Sequence, residues 1–339
     1  MMRDNILHGV KLFATVSTAV IALSSCIDED LSDCGKDYSI SYRLTLHSNI
    51  DVEINDVLTT TDQKQFGTEL KQALGNVFTD YATDNDLSFF VNDALSHHEA
   101  NKMNANSASY TIYMPRNDYR HLALANTANE TQVAIQQAEL ASTLRLEQVK
   151  ADTIESHQCG LFSSRLSIAA DDFDHDLNTQ LYMQNSAAAV FIDRNGQQPE
   201  EVFGFIEGTA NAFMVNDSVY SYTKNTIVKA KTIAKNERYD GLAVVCFPSK
   251  NNLSAAERTP SLSTQESADD ALWQMHVIVK INGKYTESIL KVSDPLKAGQ
   301  LRVLKVKMNA DGSVTPTMAS VGVSVKLDWK PGGSHDIEI

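Results

Sequence analysis

Four cysteines are the most reactive residues in this chain of 339, and they stand at Cys26, Cys34, Cys159 and Cys246. Cys26 ends the stretch Leu23-Ser24-Ser25-Cys26, which follows the apolar run Leu12–Leu23. A thiolate there is a nucleophile that can take a thioether-linked group, which no hydroxyl or amine side chain can replace. The other candidate chemistry is weaker. His97 and His98 are followed by Glu99. Adjacent histidines diverge, whereas a helical zinc pair needs ligands four apart, so these read as an exposed loop. Asp171 to Asn178, DDFDHDLN, has the acidity of a calcium loop but lacks its glycine and its bidentate glutamate. No G-x-S-x-G, P-loop, dinucleotide fingerprint or C-x-x-C occurs. The residues point to no enzyme, no metal and no small-molecule substrate.

The elements around Cys26 give that thiol its meaning. Arg3 and Lys11 flank the start of the apolar run, with Asp4 as one acidic exception. The run has the length of a signal-peptide core and is too short to span a bilayer as a helix. Leu23-Ser24-Ser25-Cys26 resembles the bacterial lipobox, in which cleavage precedes a cysteine that carries diacylglycerol and a further acyl chain. Several acyl chains at one site hold a protein on a membrane far better than one. Asp28, Glu29 and Asp30 follow directly. They would be repelled by anionic head groups, so they serve something other than anchoring. They resemble the acidic export signal of surface-exposed lipoproteins of the Bacteroidetes; a solvated tether is the plainer alternative. The expected location is the outer membrane, lipid-anchored and facing outward.

Composition narrows the rest. The chain carries a net charge of −14, and 42% of it is apolar. This is a folded, acidic chain with no basic footprint for nucleic acid. Three widely spaced cysteines remain after Cys26, which is no disulfide framework. Tyr38, Ile40, Tyr42, Leu44 and Leu46 alternate with polar residues, as in a half-buried strand. Phe66, Leu70, Ala73, Leu74, Val77, Phe78 and Tyr81 recur at helical spacing, with Thr61 or Asp62 as a cap. Short strands are expected around Leu87–Val91, 109–114 and 121–125, and a second helix over 131–150. From Gln180 onward nearly everything reads as strand and turn, with hairpin signals at Asn282-Gly283 and Asp311-Gly312. Asp193-Arg194-Asn195-Gly196 reads as a turn. Trp273 and Trp329 are too few for a carbohydrate-stacking platform and read as core.

The expected organisation is a signal peptide over 1–25 and an acidic tether over 26–36. An N-terminal β-sandwich with a helix follows over 37–165, then a C-terminal β-sandwich over 166–339. Together, CIDEDLSDC, the alternating first strand, the helix, Gly160-Leu161-Phe162 and the terminal VSVKLDW resemble the fimbrial anchor subunits of Bacteroidales. These are lipoproteins of the fimbrillin superfamily that builds type V pili. The resemblance implies a mainly β fold of two sandwich domains with transthyretin-like topology, at the base of a surface pilus. It also implies a stalk-subunit partner joined by strand exchange, and no cofactor beyond the lipid on Cys26. Stalk subunits of that superfamily lose their first strand to proteolysis. An anchor cut after Arg43 would lose Cys26 and its lipid, so the first strand should be retained. Val321, Val323, Val325, Leu327 and Trp329 form one apolar face, suited either to a donated strand or to the last strand of the C-terminal sandwich. A stand-alone adhesin for glycan or host protein is the rival reading.

Overall fold

The computed structural model describes residues 38–45, 50–138, 143–149, 151–170, 177–252 and 271–329. In chain order the first elements are β1 (Tyr38–Thr45), α1 (Ile50–Val57), α2 (Thr61–Leu74), β2 (Ala82–Val91), β3 (Ala94–Ser107), β4 (Thr111–Met114) and β5 (Tyr119–Ala125). Then come β6 (Val133–Ala138), β7 (Thr143–Gln148), β8 (Thr153–Ile154), β9 (Phe162–Ile168) and β10 (Leu177–Met183). The next group is β11 (Ser186–Asp193), β12 (Glu201–Glu207), β13 (Ala212–Met214), β14 (Val219–Ser221), β15 (Ile227–Lys229) and β16 (Lys231–Lys235). The last is β17 (Tyr239–Cys246), β18 (Trp273–Ile281), β19 (Lys284–Val292), β20 (Leu301–Met308), β21 (Val314–Pro316) and β22 (Val321–Trp329). The expected mainly β class, with helices in the N-terminal part, is what the chain forms.

The strands build four sheets. Sheet I runs β3-β2-β5-β9-β10-β1-β4, sheet II β16-β17-β11-β20-β21, sheet III β22-β19-β18-β12-β15-β8 and sheet IV β14-β13-β7-β6. Sheets II and III face each other over a core that includes Val190, Leu242, Trp273, Met275, Val277 and Leu290. Helices α1 and α2 lie between the other face of sheet II and sheet I. Their Ile54, Phe66 and Leu70, with Leu58 between them, share one core with Ile40, Phe89 and Phe162 of sheet I and with Phe191, Tyr239 and Val303 of sheet II. Sheet IV covers part of the outer face of sheet I, with Phe213 and Leu146 packed in one cluster with Leu122 and Leu124. The chain leaves sheet I at Met183 and enters sheet II at Ser186. Conversely, β7 pairs with β13 and β8 with β15, so short segments before Gly160 are built into sheets completed much later.

Several local expectations change. Residues 131–150 contain the strands β6 and β7, not a helix: in β7 the buried Leu146 and Gln148 alternate with the half-buried Arg145 and Glu147. His97 and His98 stand in β3 rather than in a loop. Alternation does place them on opposite faces, and His98 lies 3.1 Å from Asp86. Helix α2 is capped by Thr60, one residue earlier than expected, in a reciprocal capping box with Gln63. Gln63 Oε1 accepts from the Thr60 amide, which locks that choice. Helix α1 and the polar edge strand β3 lack a periodic signal long enough to read. Trp273 is buried and donates its indole N–H to the Asp294 carbonyl at 2.8 Å. The hairpin of β18 and β19 turns at Asn282-Gly283 with both φ values positive. The Asp193–Gly196 turn also forms, but its Arg194 is buried and pairs in bidentate fashion with Asp240 at 2.7 and 2.8 Å. Residues 171–176 of the acidic stretch, Cys26, Cys34, and Asp28, Glu29 and Asp30 lie outside the described residues. Among the described residues, no helix is long and apolar enough to cross a membrane.

The join between helix layer and sheet II is made at Gly241. A Cβ there would sit 2.4 Å from the Phe66 ring, so only glycine lets the ring reach the sheet. Gly241→Ala should therefore destabilise the fold by about 1–3 kcal/mol through overpacking. Urea unfolding should show a lower midpoint at unchanged slope.

Candidate functional site

The first and last described strands, β1 and β22, are held in opposite ways. β1 is an interior strand. It pairs parallel with β10 from Ile40↔Leu177 to Thr45↔Tyr182, and antiparallel with β4 from Tyr38↔Met114 to Ser41↔Thr111. Of its alternating set, Ile40 and Tyr42 are buried in the central core. Tyr38 and Leu44 belong to the strand, and Leu46 lies outside the described residues. Burying two such side chains is worth about 2 kcal/mol each, a sizeable part of the ~5–15 kcal/mol that stabilises a typical domain.

Tyr42 also makes a polar connection that periodicity could not reveal. Its hydroxyl lies 2.7 Å from His121 Nε2, and His121 Nδ1 lies 3.0 Å from the Ser88 carbonyl. A carbonyl only accepts, so Nδ1 carries the hydrogen and Nε2 accepts from Tyr42. Burial pushes His121 down to about 4, only partly offset by the bond to Ser88, which keeps the ring neutral. Burial likewise raises the Tyr42 phenol, so it stays a donor. The His121 ring stacks on Phe89 with centroids 4.0 Å apart. Arg43, one residue on, is exposed as a side chain, but its backbone is held in register with Gln180.

β22 is an edge strand. It pairs with β19 from Val292↔Val321 to Tyr285↔Trp329, and no other described strand pairs with it. Val321, Val323 and Val325 lie beside Val292, Leu290 and Ser288, on the face turned toward sheet II. Val321 is buried, whereas Val323 is 38% and Val325 42% exposed. The cause is geometric: the facing edge strand, β21, is only three residues long. Leu327 and Trp329 continue the strand.

On its other face β22 is held by charge. Lys326 Nζ lies 3.1 Å from Glu287 Oε2, Glu287 Oε1 lies 2.7 Å from His276 Nδ1, and His276 Nε2 lies 3.0 Å from Glu207. This chain crosses from β22 through β19 and β18 to β12. The imidazole stacks on Phe205 at 4.2 Å. Burial opposes a charge on His276, but the bonds to Glu207 and Glu287 outweigh it and raise its pKa. Burial opposes the Glu287 charge too, and His276 with Lys326 still pulls that carboxyl below its usual range.

The remaining candidates gather no chemistry. Cys159 and Cys246 are free thiols, and burial pushes them up to about 11 and about 12, away from reactivity. No group of three His, Cys, Asp or Glu side chains that could hold a metal occurs among the described residues.

No protein-family model and no curated protein matches the chain. Solved structures of similar shape do exist. One is a putative adhesin from Bacteroides thetaiotaomicron, 8% identical, covering 85% of this chain and 96% of its own, with a TM-score of 0.49. Another is a putative adhesin from Bacteroides ovatus, 11% identical, covering 87% and 98%, with a TM-score of 0.46. A third is the fimbrial anchor protein Mfa2 from Porphyromonas gingivalis, 8% identical, covering 86% and 99%, with a TM-score of 0.45.

Two outcomes follow for the terminal strands. Tyr42→Phe leaves the His121 acceptor buried without a partner and should cost about 1–3 kcal/mol in denaturant unfolding. An unchanged midpoint would mean that the Tyr42–His121 bond does not hold β1. For β22, the folded pKa of His276 is raised above its ordinary 6.5. The stabilisation is thus complete below about pH 6.5 and is lost as pH rises through the raised value. Amide exchange protection at Ser324–Lys326, corrected for intrinsic rates, should fall as pH rises through that raised value. In His276→Gln that dependence should disappear.

Proposed function

We propose that this chain is a lipid-anchored base subunit of a fimbria, a non-enzymatic lipoprotein of the fimbrillin superfamily at the bacterial surface. Cys26 carries the diacylglycerol and acyl chain and sits in the outer membrane. Asp28, Glu29 and Asp30 direct the protein outward. The observation that carries the reading is the placement of β1: an interior strand paired on both sides, with Tyr42 bonded into the core. A protease needs its substrate extended and unpaired, and Arg43 lies in a ladder. The link from Cys26 to the folded body therefore survives, and among the described strands sheet I keeps no vacant interior groove for a neighbour's strand.

The stalk must then be met at the other end of the chain. β22 is the segment suited to exchange. It is paired on one side only, and Val323 and Val325 are already substantially exposed, so leaving β19 gives up little apolar burial at those positions. Laid into the groove of a stalk subunit, its backbone would supply hydrogen bonds and its valines would fill alternate pockets. The Lys326–Glu287–His276–Glu207 chain holds it in its own sheet until then.

Strand-exchanged complexes are kinetically hard to open. An unboiled SDS gel of outer membranes, blotted for this protein, should give a ladder of heavy bands that collapses to one on boiling. A single monomer band in cells shown to make fimbriae would remove the base-subunit reading. In the same strain Cys26→Ala should shed the fimbriae into the medium. Incubation with an arginine-specific protease should leave the bond after Arg43 intact; its cleavage under native conditions would refute retention of β1.

A further inference from the structure

Sheet II ends on one side at the edge strand β16, and α2 packs against it. Where the C-terminal end of α2 meets β16, β17 and the segment 156–158 before β9, there is a cleft of about 280 Å³. Its floor is apolar. Leu74 and Val77 come from the helix end and just beyond it, Ala243 and Val245 from β17, and all four are buried. Asn76, Gln158 and Lys231 line the same cleft and are exposed, so they mark its mouth. Lys231 is the one residue of fixed charge among the described lining.

His157 also lines the cleft, and it is only 1% exposed. Its tautomer follows from Asn185. Asn185 Oδ1 accepts the Leu161 amide at 2.8 Å, and Nδ2 donates to the Cys159 carbonyl at 2.8 Å, which fixes the orientation of the amide. That Nδ2 lies 3.5 Å from His157 Nδ1. Nδ1 therefore faces a donor, and the hydrogen sits on Nε2. Burial pushes His157 down to about 4, against the opposing pull of Glu130, so the ring is neutral. Nε2 has no hydrogen-bond partner. A buried N–H without an acceptor is costly, and an acceptor brought into the cleft would relieve that cost.

The groups around it are already paired. Ser156 Oγ accepts the Val245 amide at 2.9 Å. Glu130 accepts the amides of Gln132, Gln158 and Cys159 and is not part of the described lining. The Leu74 carbonyl at the end of α2 accepts from Val77 and Phe78. What is left for a ligand is one N–H, one ammonium and an apolar floor, in a space at the small end of ligand pockets.

We propose that this cleft binds a short aliphatic monocarboxylate, its head group shared between Lys231 and the Nε2 hydrogen of His157 and its chain on the apolar floor. A carboxylate has two oxygens that can accept from both donors, and the bond to the ammonium is charge-assisted. An alkyl chain of a few carbons removes the floor from water. The site stands independently of how the chain joins a fimbria.

The test is titration calorimetry on the full lipoprotein in a non-ionic detergent, against matched detergent blanks. The probes are pentanoate, acetate and 1-pentanol. Pentanoate should bind. Acetate, which lacks the chain, and 1-pentanol, which lacks the charge, should each bind at least fivefold more weakly. Lys231→Gln should weaken pentanoate at least fivefold by removing the charge. Ala73→Leu should do so by filling the cleft, since Ala73 lines it from an exposed position on α2. His157→Leu should act likewise by removing the N–H. That residue is buried, so matched thermal melts will show whether this variant folds, and the two exposed positions decide the matter without it. Absence of pentanoate binding, equal binding of acetate or 1-pentanol, or binding unmoved by Lys231→Gln or by Ala73→Leu would overturn the proposal.

Discussion

The structure depends on the closure of sheet I by β1. Its parallel partner β10 begins more than a hundred residues later, so this pairing is made across a long loop and pays its entropy before any local contact rewards it. Once made, it brings Ile40 and Tyr42 onto the inner face of sheet I, where they join the same core as the two helices. The helices in turn carry that core to sheet II, through Phe66 against Gly241 and through Glu53, which accepts the Val303 amide. Sheet II then backs the sandwich with sheet III. A chain without β1 would therefore lose more than one edge: it would open the layer on which the helices rest.

That dependence explains why a buried polar pair is tolerated at Tyr42. A hydroxyl and an imidazole in the core are costly unless both are satisfied. Here the Ser88 carbonyl fixes the tautomer, Tyr42 completes it, and Phe89 covers the ring. Apolar burial alone would hold β1 in place but would tolerate slippage along its neighbours. The single donor–acceptor match ties one residue of β1 to one residue of β5, and so fixes the register.

Much of this was legible in the sequence where one period governed a segment. The alternation of Ile40 and Tyr42 in β1, the 3.6-residue spacing from Phe66 to Leu74 and the Asn282-Gly283 turn each name their element, although the apolar residues read beyond Leu74 as helical, Val77, Phe78 and Tyr81, follow the helix rather than extend it. The reading failed where burial is set by distant partners. Residues 131–150 hold good helix formers, yet Leu146 is buried because β7 pairs with β13, more than sixty residues away. The polarity of β3 hid a strand of fourteen residues, because an edge strand needs no apolar face. The charge chain behind β22 was invisible for the same reason. Glu207, His276, Glu287 and Lys326 are dispersed in sequence, and only strand pairing brings them together.

The edges of the four sheets differ in how they are shielded from further pairing. An exposed edge invites pairing, and proteins blunt it with shortness, charge, bulges or proline. β4 has four residues, β8 two and β14 three. β3 carries histidines, a lysine and asparagines. β16 has Lys231 and Lys235 and a register shift, and β21 is short and ends at Pro316. β6, the other edge of sheet IV, has six residues and no charge, and β22, though it carries Lys326, Asp328 and a register shift, keeps two exposed valines on one face. Of its two charged residues, Lys326 is turned to Glu287 within its own sheet rather than standing guard at the edge. Two edges among the described residues, β6 and β22, thus keep uncharged stretches, and β22 is held in its own sheet by a salt-linked histidine.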